Sequence, residues 1–474
     1  MYRSIARTTI ASARGLRSTH AAAGDRPNFG DETFDVCVVG GGVMGSWAAA
    51  RAAERGASVA LLEQYEPAST HGSSHGDGRI FRFAYEEAVY VDMMELSLKY
   101  WKELQASESE PLLATTGGLN IAPRGSAVHL ERLAQTYDVR GLDYERLSAA
   151  AVFARFPQYQ PAEHLEALFQ PDYGVLFASK ATRATWERAR RSGARVATGA
   201  RVERLCADGD AGALRIEYST AEGGMGAVRS KALVLAPGAW LSGACRTLLG
   251  VEIPTRVTAE TVSYYAPRSP GDASLRDHSY RSMPVACLDD DNGLGQYGYY
   301  CLPAIDVPGV KISAHYCGPE IADPSARATA LAATNGNGLD ALAASAGAVA
   351  DGGEARIRAV SASNARCAET LFSSLDASRA IIEQSCLYTS TADHDYVLSR
   401  APRSARIAHG GPTAPRNVVL AGGGSGHAFK MGPAIGECAA CLALGEPPPL
   451  DIARFDAERL LGGAFAPHGS AGRK

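Results

Sequence analysis

Long hydrophobic runs and a surplus of basic residues are both missing from this sequence of 474 residues. No apolar run approaches the ~18 residues of a membrane-spanning helix, and the best candidates are interrupted by Pro or Gly. The formal net charge is −4 and no basic face stands out, which argues against a nucleic-acid partner. The ten cysteines are scattered, which excludes a dense secreted disulfide framework and favours a reducing compartment.

Acidic residues are absent from the beginning of the chain, "MYRSIARTTIASARGLRSTHAAAG", and the first is Asp25. This stretch combines several arginines with many Ser, Thr and Ala residues, a composition typical of organellar transit peptides. We therefore predict a leader over residues 1–32 and a mitochondrial location, with a basic unstructured tail as the alternative. The short tail 466–474 ends in "AGRK" and lacks a peroxisomal SKL signal, although a peroxisomal or cytoplasmic location stays open.

The length exceeds that of a usual single core, so the sequence predicts two domains. Residues 34–64 read as a buried strand, a glycine turn, an Ala-rich helix and a second strand, and similar patterns return later. Short alternating segments between them predict an inserted α+β domain with an antiparallel sheet. Residues 326–359 are rich in Ala and Gly and are predicted to form a mobile surface insertion. The predicted boundaries are 33–115, 174–252 and 380–465 for the α/β domain, and 116–173 and 253–379 for the inserted domain.

Gly40, Gly42 and Gly45 form a GxGxxG pattern between the first predicted strand and helix, and Glu63 ends the next strand. The glycines permit a tight turn, a close approach of the backbone to a pyrophosphate and close packing of helix on strand. The helix N-terminus stabilises the phosphate charge, and the acid binds ribose hydroxyls. The pattern predicts a Rossmann-like dinucleotide site, against an ordinary glycine turn, and leaves FAD or NAD open.

The polar, glycine-rich stretch 66–85, "EPASTHGSSHGDGRIFRFAY", follows the ribose-binding strand and could run beneath a flavin. It offers His75, Arg79 and Arg82, and the two arginines share a face if this stretch is helical. Two solvated arginines are the alternative. Cys386 has no second cysteine nearby, which excludes a CxxC pair or a zinc knuckle there, and by itself it reads as a small buried residue. No metal site is predicted.

Several stretches, taken in order, resemble the monomeric sarcosine oxidase family, which includes L-pipecolate and N-methyltryptophan oxidases. The resemblance runs from about residue 34 to 465, apart from the insertion at 326–359. It implies an FAD-binding domain of the glutathione-reductase type and a covalent thioether between Cys386 and the flavin. The stretches are "VVGGGVMGSWAA", "GSSHGDGRIFRFAY", "SCLYTSTADHDYVL", "AGGGSGHAFKMGPAIGE" and, more loosely, "YYCLPAIDVPGVKISAHY".

The resemblance also implies roles for individual residues. Arg82 and Lys430 match the pair that holds the substrate carboxylate, a fork and a point charge suited to that anion. Lys311 matches the lysine that activates oxygen above the flavin, where a fixed cation would stabilise superoxide. The remaining matches are Arg79 near the flavin for charge balance, His315, Tyr300 and Tyr388 around the substrate amine, and His75 and Gly426 beside the cofactor.

By this resemblance the chain is expected to oxidise a secondary amino acid: sarcosine, L-pipecolate or a related N-alkyl or cyclic imino acid. Hydride would pass from the carbon beside the neutral amine to the flavin, and O2 would then be reduced to H2O2. The imine product would be hydrolysed. The expected partners are this substrate and O2, with a monomer as the default. The alternatives are a flavin dehydrogenase that passes electrons to a carrier, and a non-catalytic organellar flavoprotein with a role in assembly.

Overall fold

A computed structural model describes most of the chain between residues 29 and 463. The predicted leader lies outside the described residues except for 29–32, and the tail 466–474 lies outside them entirely. Most of the predicted insertion, residues 327–351, is outside them as well. Within the described part, no helix has the length and apolar character needed to cross a membrane. The described ranges are 29–125, 128–208, 212–268, 277–295, 298–326, 352–407 and 417–463.

The strands of the described residues, in chain order, are β1 (Thr33–Val39), β2 (Val59–Leu62), β3 (Arg79–Phe81), β4 (Leu113–Thr115), β5 (Gly118–Pro123), β6 (Glu145–Ser148), β7 (Leu165–Gln170), β8 (Gly174–Leu176), β9 (Arg195–Ala197), β10 (Ala200–Asp208), β11 (Ala213–Thr220), β12 (Met225–Leu235), β13 (Arg256–Tyr265), β14 (Val285–Leu288), β15 (Tyr299–Leu302), β16 (Val310–Ala314), β17 (Ile382–Ser390), β18 (Val397–Arg400) and β19 (Val418–Gly422). The α-helices are α1 (Val43–Glu54), α2 (Ala88–Ala106), α3 (Val128–Arg140), α4 (Ala149–Arg155), α5 (Ala178–Arg191), α6 (Leu241–Leu249), α7 (Gly353–Leu371) and α8 (Gly432–Leu444).

The first large sheet runs in the order β10-β11-β12-β1-β2-β9, with β19 beside β12 and β18 beyond β19. Its centre is parallel, because β1 pairs in parallel with both β12 and β2. Central parallel strands are buried on both faces. Accordingly, Val36 and Val38 enter the core shared with α1 and α8, whereas Cys37 and Val39 enter the core shared with α6. This layered parallel sheet confirms the predicted Rossmann-like α/β class.

Helices α1 and α8 pack directly on each other over this sheet. A Cβ atom at Gly436 of α8 would lie 2.4 Å from the Cβ atom of Trp47 on α1, so glycine is what permits the close approach. Arg51 and Arg55, at the end of α1, both bind Glu437, which is buried within α8. The helix that follows the glycine loop is thereby fixed against the C-terminal helix.

The second large sheet runs in the order β17-β13-β16-β15-β14-β5-β7-β6. Its neighbouring strands are antiparallel, as predicted, apart from the parallel pair of β14 and β5. This pair joins the two separate chain segments that build the domain. A small third sheet, β3-β8-β4, lies along the connection between the domains and carries Arg79.

Two predicted boundaries need correction. Strand β17 falls in the segment 380–465 that was assigned to the FAD-binding domain, but it pairs with β13 over nine residues at the edge of the second sheet. Helix α7 begins at Gly353, inside the predicted insertion 326–359. Its Ile357 and Val360 are buried against the second domain, so the end of that segment belongs to the core.

Candidate active site

The glycine loop after β1 needs glycine at two of its three predicted positions for reasons of space. Gly40 has a φ of +98°, and a Cβ there would lie 2.3 Å from the carbonyl oxygen of Ala236. A Cβ at Gly45 would lie 1.9 Å from the carbonyl oxygen of Gly40. At Gly42 the backbone is ordinary, and a Cβ would lie 3.2 Å from the hydroxyl of Ser74. The loop thus packs tightly on β12 and on the start of α1.

Glu63 lies directly beyond β2 and contacts this loop. Its Oε2 accepts a hydrogen bond of 2.6 Å from the Gly41 N–H, and its Oε1 accepts one of 2.8 Å from the Tyr65 N–H. Burial raises the pKa of Glu63, against the lowering effect of these backbone donors. The carboxylate is therefore held at the carboxyl end of β2, where the dinucleotide pattern requires an acid.

A first cavity of 610 Å³ opens between the glycine loop, Glu63 and the polar residues Ser73 and Ser74. The backbone N–H of Val43, at the start of α1, donates a hydrogen bond of 2.9 Å to the Ser74 hydroxyl. A cavity of this size, with a glycine loop, a helix N-terminus and a half-buried acid, fits the ADP part of FAD.

A second cavity, of 160 Å³, is lined by strands of the second and third sheets and by the segment that follows β19. Eight of the predicted residues, which are far apart in the sequence, line this one space. Lys311 is close to it, because it donates a hydrogen bond of 2.8 Å to the carbonyl of Gly78, a lining residue. His75 is buried but is not among the lining residues. The eight lining residues are Arg79, Arg82, Tyr300, His315, Cys386, Tyr388, Gly426 and Lys430.

Cys386 lies on β17 and faces Arg79. The Arg79 guanidinium donates from Nη2 to the Cys386 Sγ atom at 3.1 Å, and Arg79 also binds the carbonyl of Ser73. The thiol is 8% exposed. The Cys386 sulfur is therefore held beside a fixed cation on the wall of the second cavity.

Lys311 is buried on β16 behind this pair. Burial, followed by the positive charge of Arg79, lowers the pKa of Lys311 to about 7. Lys311 is only 3% exposed, and its ammonium donates a hydrogen bond to the carbonyl of Gly78. The cation is therefore fixed at the edge of the second cavity and close to losing its proton at neutral pH.

Arg82 and Lys430 converge on one aromatic ring. The charged groups lie 5.5 Å and 5.2 Å from the centre of the Tyr85 ring. Lys430 also donates 2.8 Å to the carbonyl of His427, and burial together with Arg82 lowers the pKa of Lys430. Among the described residues, no carboxylate forms an ion pair with either cation. Two neighbouring positive groups in one cavity suit an anionic ligand.

His315 and Tyr388 form a neutral polar pair in the same cavity. The Nδ1 atom of His315 lies 3.0 Å from the Tyr388 hydroxyl. Burial, together with the charge of Arg82, lowers the pKa of His315 to about 3. Burial raises the pKa of Tyr388 and raises that of the adjacent Tyr300 to about 12. At neutral pH these groups are uncharged and offer hydrogen bonds rather than charge.

Three further residues at this site were not found from the sequence. His427 lines the second cavity and is held by the hydroxyls of Tyr85 and Tyr396, at 3.2 Å and 2.8 Å from its Nδ1 atom. Tyr316 has a φ of +56° and donates its hydroxyl to the carbonyl of Ser425.

Glu260 is the third of these residues, and it is fully buried on β13. Its Oε2 accepts hydrogen bonds of 2.9 Å from the backbone N–H groups of Cys317 and Gly318. In the sequence, Glu260 could have been recognised as the single acid of the strand "RVTAETVSYY". A carboxylate that is buried in a strand needs hydrogen-bond donors around it.

Comparison with known proteins agrees with this geometry. The family described as "DAO: FAD dependent oxidoreductase" matches residues 35–442. A monomeric sarcosine oxidase of Bacillus sp. (strain B-0618) is 29% identical over 429 residues, covering 90% of this chain and 96% of that protein. An N-methyl-L-tryptophan oxidase of Salmonella agona (strain SL483) is 27% identical over 428 residues, covering 90% and 99% of the two chains.

Among solved structures, the open form of NikD, an unusual amino acid oxidase essential for nikkomycin biosynthesis, superposes with a TM-score of 0.68. It is 21% identical in sequence, and the match covers 90% of this chain and 97% of that chain. This similarity supports the fold. The family match spans both cavities, and the first cavity fits FAD. The chain therefore belongs to the family of FAD-dependent oxidoreductases.

Proposed function

We propose that the protein oxidises a secondary amino acid, such as sarcosine, L-pipecolate or a related N-alkyl or cyclic imino acid, with O2. The amine loses two hydrogens to become an imine, which water then hydrolyses, and O2 becomes H2O2. The observation that carries this proposal is the second cavity, where two cations without a carboxylate partner among the described residues lie beside a neutral polar pair. The names of the relatives, sarcosine oxidase and N-methyl-L-tryptophan oxidase, support the same substrate class.

The chain's own residues bind and orient this substrate. Arg82 and Lys430 hold its carboxylate, because a bidentate guanidinium and an ammonium together match an anion. His315 and Tyr388 contact its amine without adding charge, which favours the neutral amine that must lose hydride. The bound flavin supplies the redox chemistry, taking two electrons from the C–N unit and passing them to O2.

Two further roles belong to this proposal. Cys386 holds FAD covalently through a thioether, and the contact of 3.1 Å from the Arg79 guanidinium to its Sγ atom fixes the sulfur for this link. Lys311 acts on the oxygen half of the reaction, where its fixed charge stabilises negative charge that develops on O2. Its buried position beside Gly78 supports this role.

A substrate panel tests the function. Purified holoenzyme is mixed anaerobically with sarcosine, L-pipecolate and N-methyl amino acids, and bleaching of the flavin absorbance is followed. Oxygen is then admitted and H2O2 is measured. Bleaching followed by stoichiometric peroxide is expected. Bleaching without peroxide would instead indicate a dehydrogenase, and no bleaching with any secondary amino acid would overturn the proposal.

The mitochondrial location is a separate proposal that depends on the composition of the first 24 residues. Fusing this segment to a fluorescent reporter should send the reporter to mitochondria. A fusion in which its four arginines, Arg3, Arg7, Arg14 and Arg17, are replaced by Gln should remain elsewhere. Identical distributions of the two fusions would contradict the proposal.

A further inference from the structure

Lys311 is held in surroundings that oppose its positive charge. The residue is buried, and the ring centre of Tyr264 on β13 lies 6.0 Å from its Nζ atom. Burial, followed by the positive charge of Arg79 on β3, lowers the pKa of Lys311 to about 7. The proposed oxygen step needs the ammonium form of this side chain. A neighbouring negative charge would therefore favour the reaction by holding the proton on Lys311.

Two groups near Lys311 have this effect. The sulfur of Cys386 on β17 and the carboxylate of Asp77 both act to raise the pKa of Lys311. In the proposed thioether the Cys386 sulfur carries no charge, so of these two groups only Asp77 can supply an anion. Asp77 immediately precedes Gly78, whose carbonyl accepts the hydrogen bond of 2.8 Å from the Lys311 ammonium. The ammonium is therefore bound at the residue next to Asp77.

The Asp77 carboxylate is fixed by the loop between β15 and β16. Its Oδ1 accepts a hydrogen bond of 3.1 Å from the N–H of Asp306, and its Oδ2 accepts one of 3.5 Å from the N–H of Val307. Gly78 packs on the same loop, because a Cβ there would lie 2.7 Å from the Cδ1 atom of Ile305. The loop leads directly into β16, so the same segment of the chain holds both the carboxylate and the ammonium.

The charge of Asp77 depends on several neighbouring groups. Burial raises the pKa of Asp77, and the Asp306 carboxylate acts in the same direction, whereas the Asp306 N–H and the Lys311 charge lower it. The N–H of Ala178, at the start of α5, donates 3.3 Å to the Asp77 carbonyl. The positive end of this helix therefore faces Asp77, which also favours a negative charge there. The backbone around Asp77 thus offsets the effect of burial on the carboxylate.

We propose that Asp77 is a positioning residue that keeps Lys311 in its ammonium form for the reaction with O2. This inference rests on the proposed function, in which the Lys311 charge stabilises the negative charge that develops on oxygen. Asp77 is not among the residues that line the second cavity, and it acts from the side of Gly78. Its effect on the reaction therefore passes through Lys311 rather than through contact with the substrate.

Asp77→Asn tests this role, because it removes the charge and keeps a side-chain oxygen for the loop N–H groups. In the holoenzyme, the decline of the reoxidation rate with rising pH should move to lower pH by about one pH unit, the usual effect of one lost opposite charge. At the midpoint of the unmutated profile the variant should then be about five-fold slower, and at about pH 5 the two rates should be nearly equal. Asp77→Glu restores the carboxylate and should recover most of the unmutated profile.

Asp306→Asn is the matched control. The Asp306 carboxylate lies on the same loop but is exposed and pairs with Lys180, while its backbone N–H still binds Asp77. The control should keep the unmutated pH profile. A rate that falls equally at every pH in Asp77→Asn would assign the effect to structural damage and overturn the inference. A control profile that shifts as far as that of Asp77→Asn would overturn it as well.

An NMR titration separates this inference from the proposed function. In holoenzyme labelled at lysine Cε, the Lys311 signal is assigned by its loss in Lys311→Met. Its titration midpoint should lie about one pH unit lower in Asp77→Asn, and this measurement does not depend on turnover. If the midpoint moves but both proteins are reoxidised alike at every pH, the oxygen role of Lys311 fails and the role of Asp77 in holding its charge stands. An unchanged midpoint overturns the inference whatever the activity.

Discussion

The Sγ atom of Cys386 lies 3.1 Å from the Nη2 atom of Arg79, which joins β17 of the second sheet to β3 of the small sheet. The two residues are separated by more than three hundred positions in the chain. The contact places a nucleophilic atom and a fixed cation on the wall of one cavity. This contact is the geometric basis of the proposed covalent link between Cys386 and the flavin.

Replacing Cys386 by Ala should therefore release the flavin. Acid-precipitated unmutated protein is expected to stay yellow, whereas precipitated Cys386→Ala protein should leave its FAD in the supernatant. Cys287→Ala is a matched control, because Cys287 is a free cysteine in the same cavity without this arginine contact. If the unmutated protein loses its flavin on precipitation, or Cys287→Ala loses it too, the assignment to Cys386 is wrong.

Replacing Lys311 by Met keeps most of the side-chain volume and removes the buried cation. Flavin reoxidation by O2 should slow by about 10²–10³, the usual cost of one lost electrostatic stabiliser. Stopped-flow measurement of the two half-reactions should show much less change in reduction by substrate. Lys180→Met is the control, because Lys180 is a partly exposed lysine that pairs with Asp306 outside the cavity. Equal losses in both half-reactions would indicate general misfolding.

The lowered pKa of Lys311 also predicts a pH dependence of the oxygen reaction. The charged form exists below its pKa, which burial and Arg79 lower to about 7, and is lost as the pH rises through that value. A bound anion nearby would raise this pKa by favouring the cation. The rate constant for reoxidation should thus fall as the pH increases from about 6 to about 9. The same profile measured for Lys311→Met should be flat, and a parallel decline in the variant would assign the titration to another group.

The sequence predicted the dinucleotide half of the fold on direct physical grounds. At Gly40 and Gly45 the backbone leaves no room for a side chain, so their spacing carries structural information. The residues of the second cavity could be grouped only through the family resemblance, because they come from strands far apart in the chain. The sequence of β17 predicts a largely buried strand but does not identify the strand with which it pairs, so its sheet was assigned wrongly.

Two other features at the site had no readable local pattern. The positive φ of Tyr316 is uncommon for an aromatic residue, and it depends on contacts from elements distant in sequence. Helix α7 begins at Gly353, within the Ala- and Gly-rich part of the sequence. The buried face of this helix depends on packing against β13 and β16. Both are consequences of tertiary structure rather than of local propensity.

Arg82 is expected to control substrate affinity through the carboxylate. Arg82→Ala should raise the apparent KM for sarcosine or pipecolate about ten-fold or more, because a charge-assisted contact contributes roughly 1.5–3 kcal/mol. Arg82→Lys should restore only part of this loss, since an ammonium cannot make the bidentate contact. Steady-state kinetics with simple carboxylates as competitive inhibitors provide the measurement. Unchanged inhibition by carboxylates in Arg82→Ala would show that the anion binds elsewhere.

Glu260 is expected to stabilise the turn that leads from His315 to Gly318. Glu260→Ala leaves the N–H groups of Cys317 and Gly318 without their acceptor, at a cost of about 1–3 kcal/mol each in the free energy of unfolding. Glu260→Gln keeps an acceptor oxygen and removes the charge, so it should destabilise the protein much less. The measurement is the thermal midpoint of the holoenzyme for each variant at one scan rate.

The same residue gives this stability a pH dependence whose sign follows from its environment. Burial raises the pKa of Glu260 in the folded protein above the ordinary value of 4.5, so the folded state holds this proton more tightly than the unfolded chain. The folded protein then loses stability as the pH rises from that ordinary value through the raised pKa. Glu260→Gln cannot titrate at this position. The thermal midpoint of Glu260→Gln minus that of the unmutated protein should therefore be larger at about pH 8 than at about pH 4.5. If the two proteins keep a constant difference across this range, or if Glu260→Ala is as stable as Glu260→Gln, Glu260 does not hold the turn as a buried carboxylate.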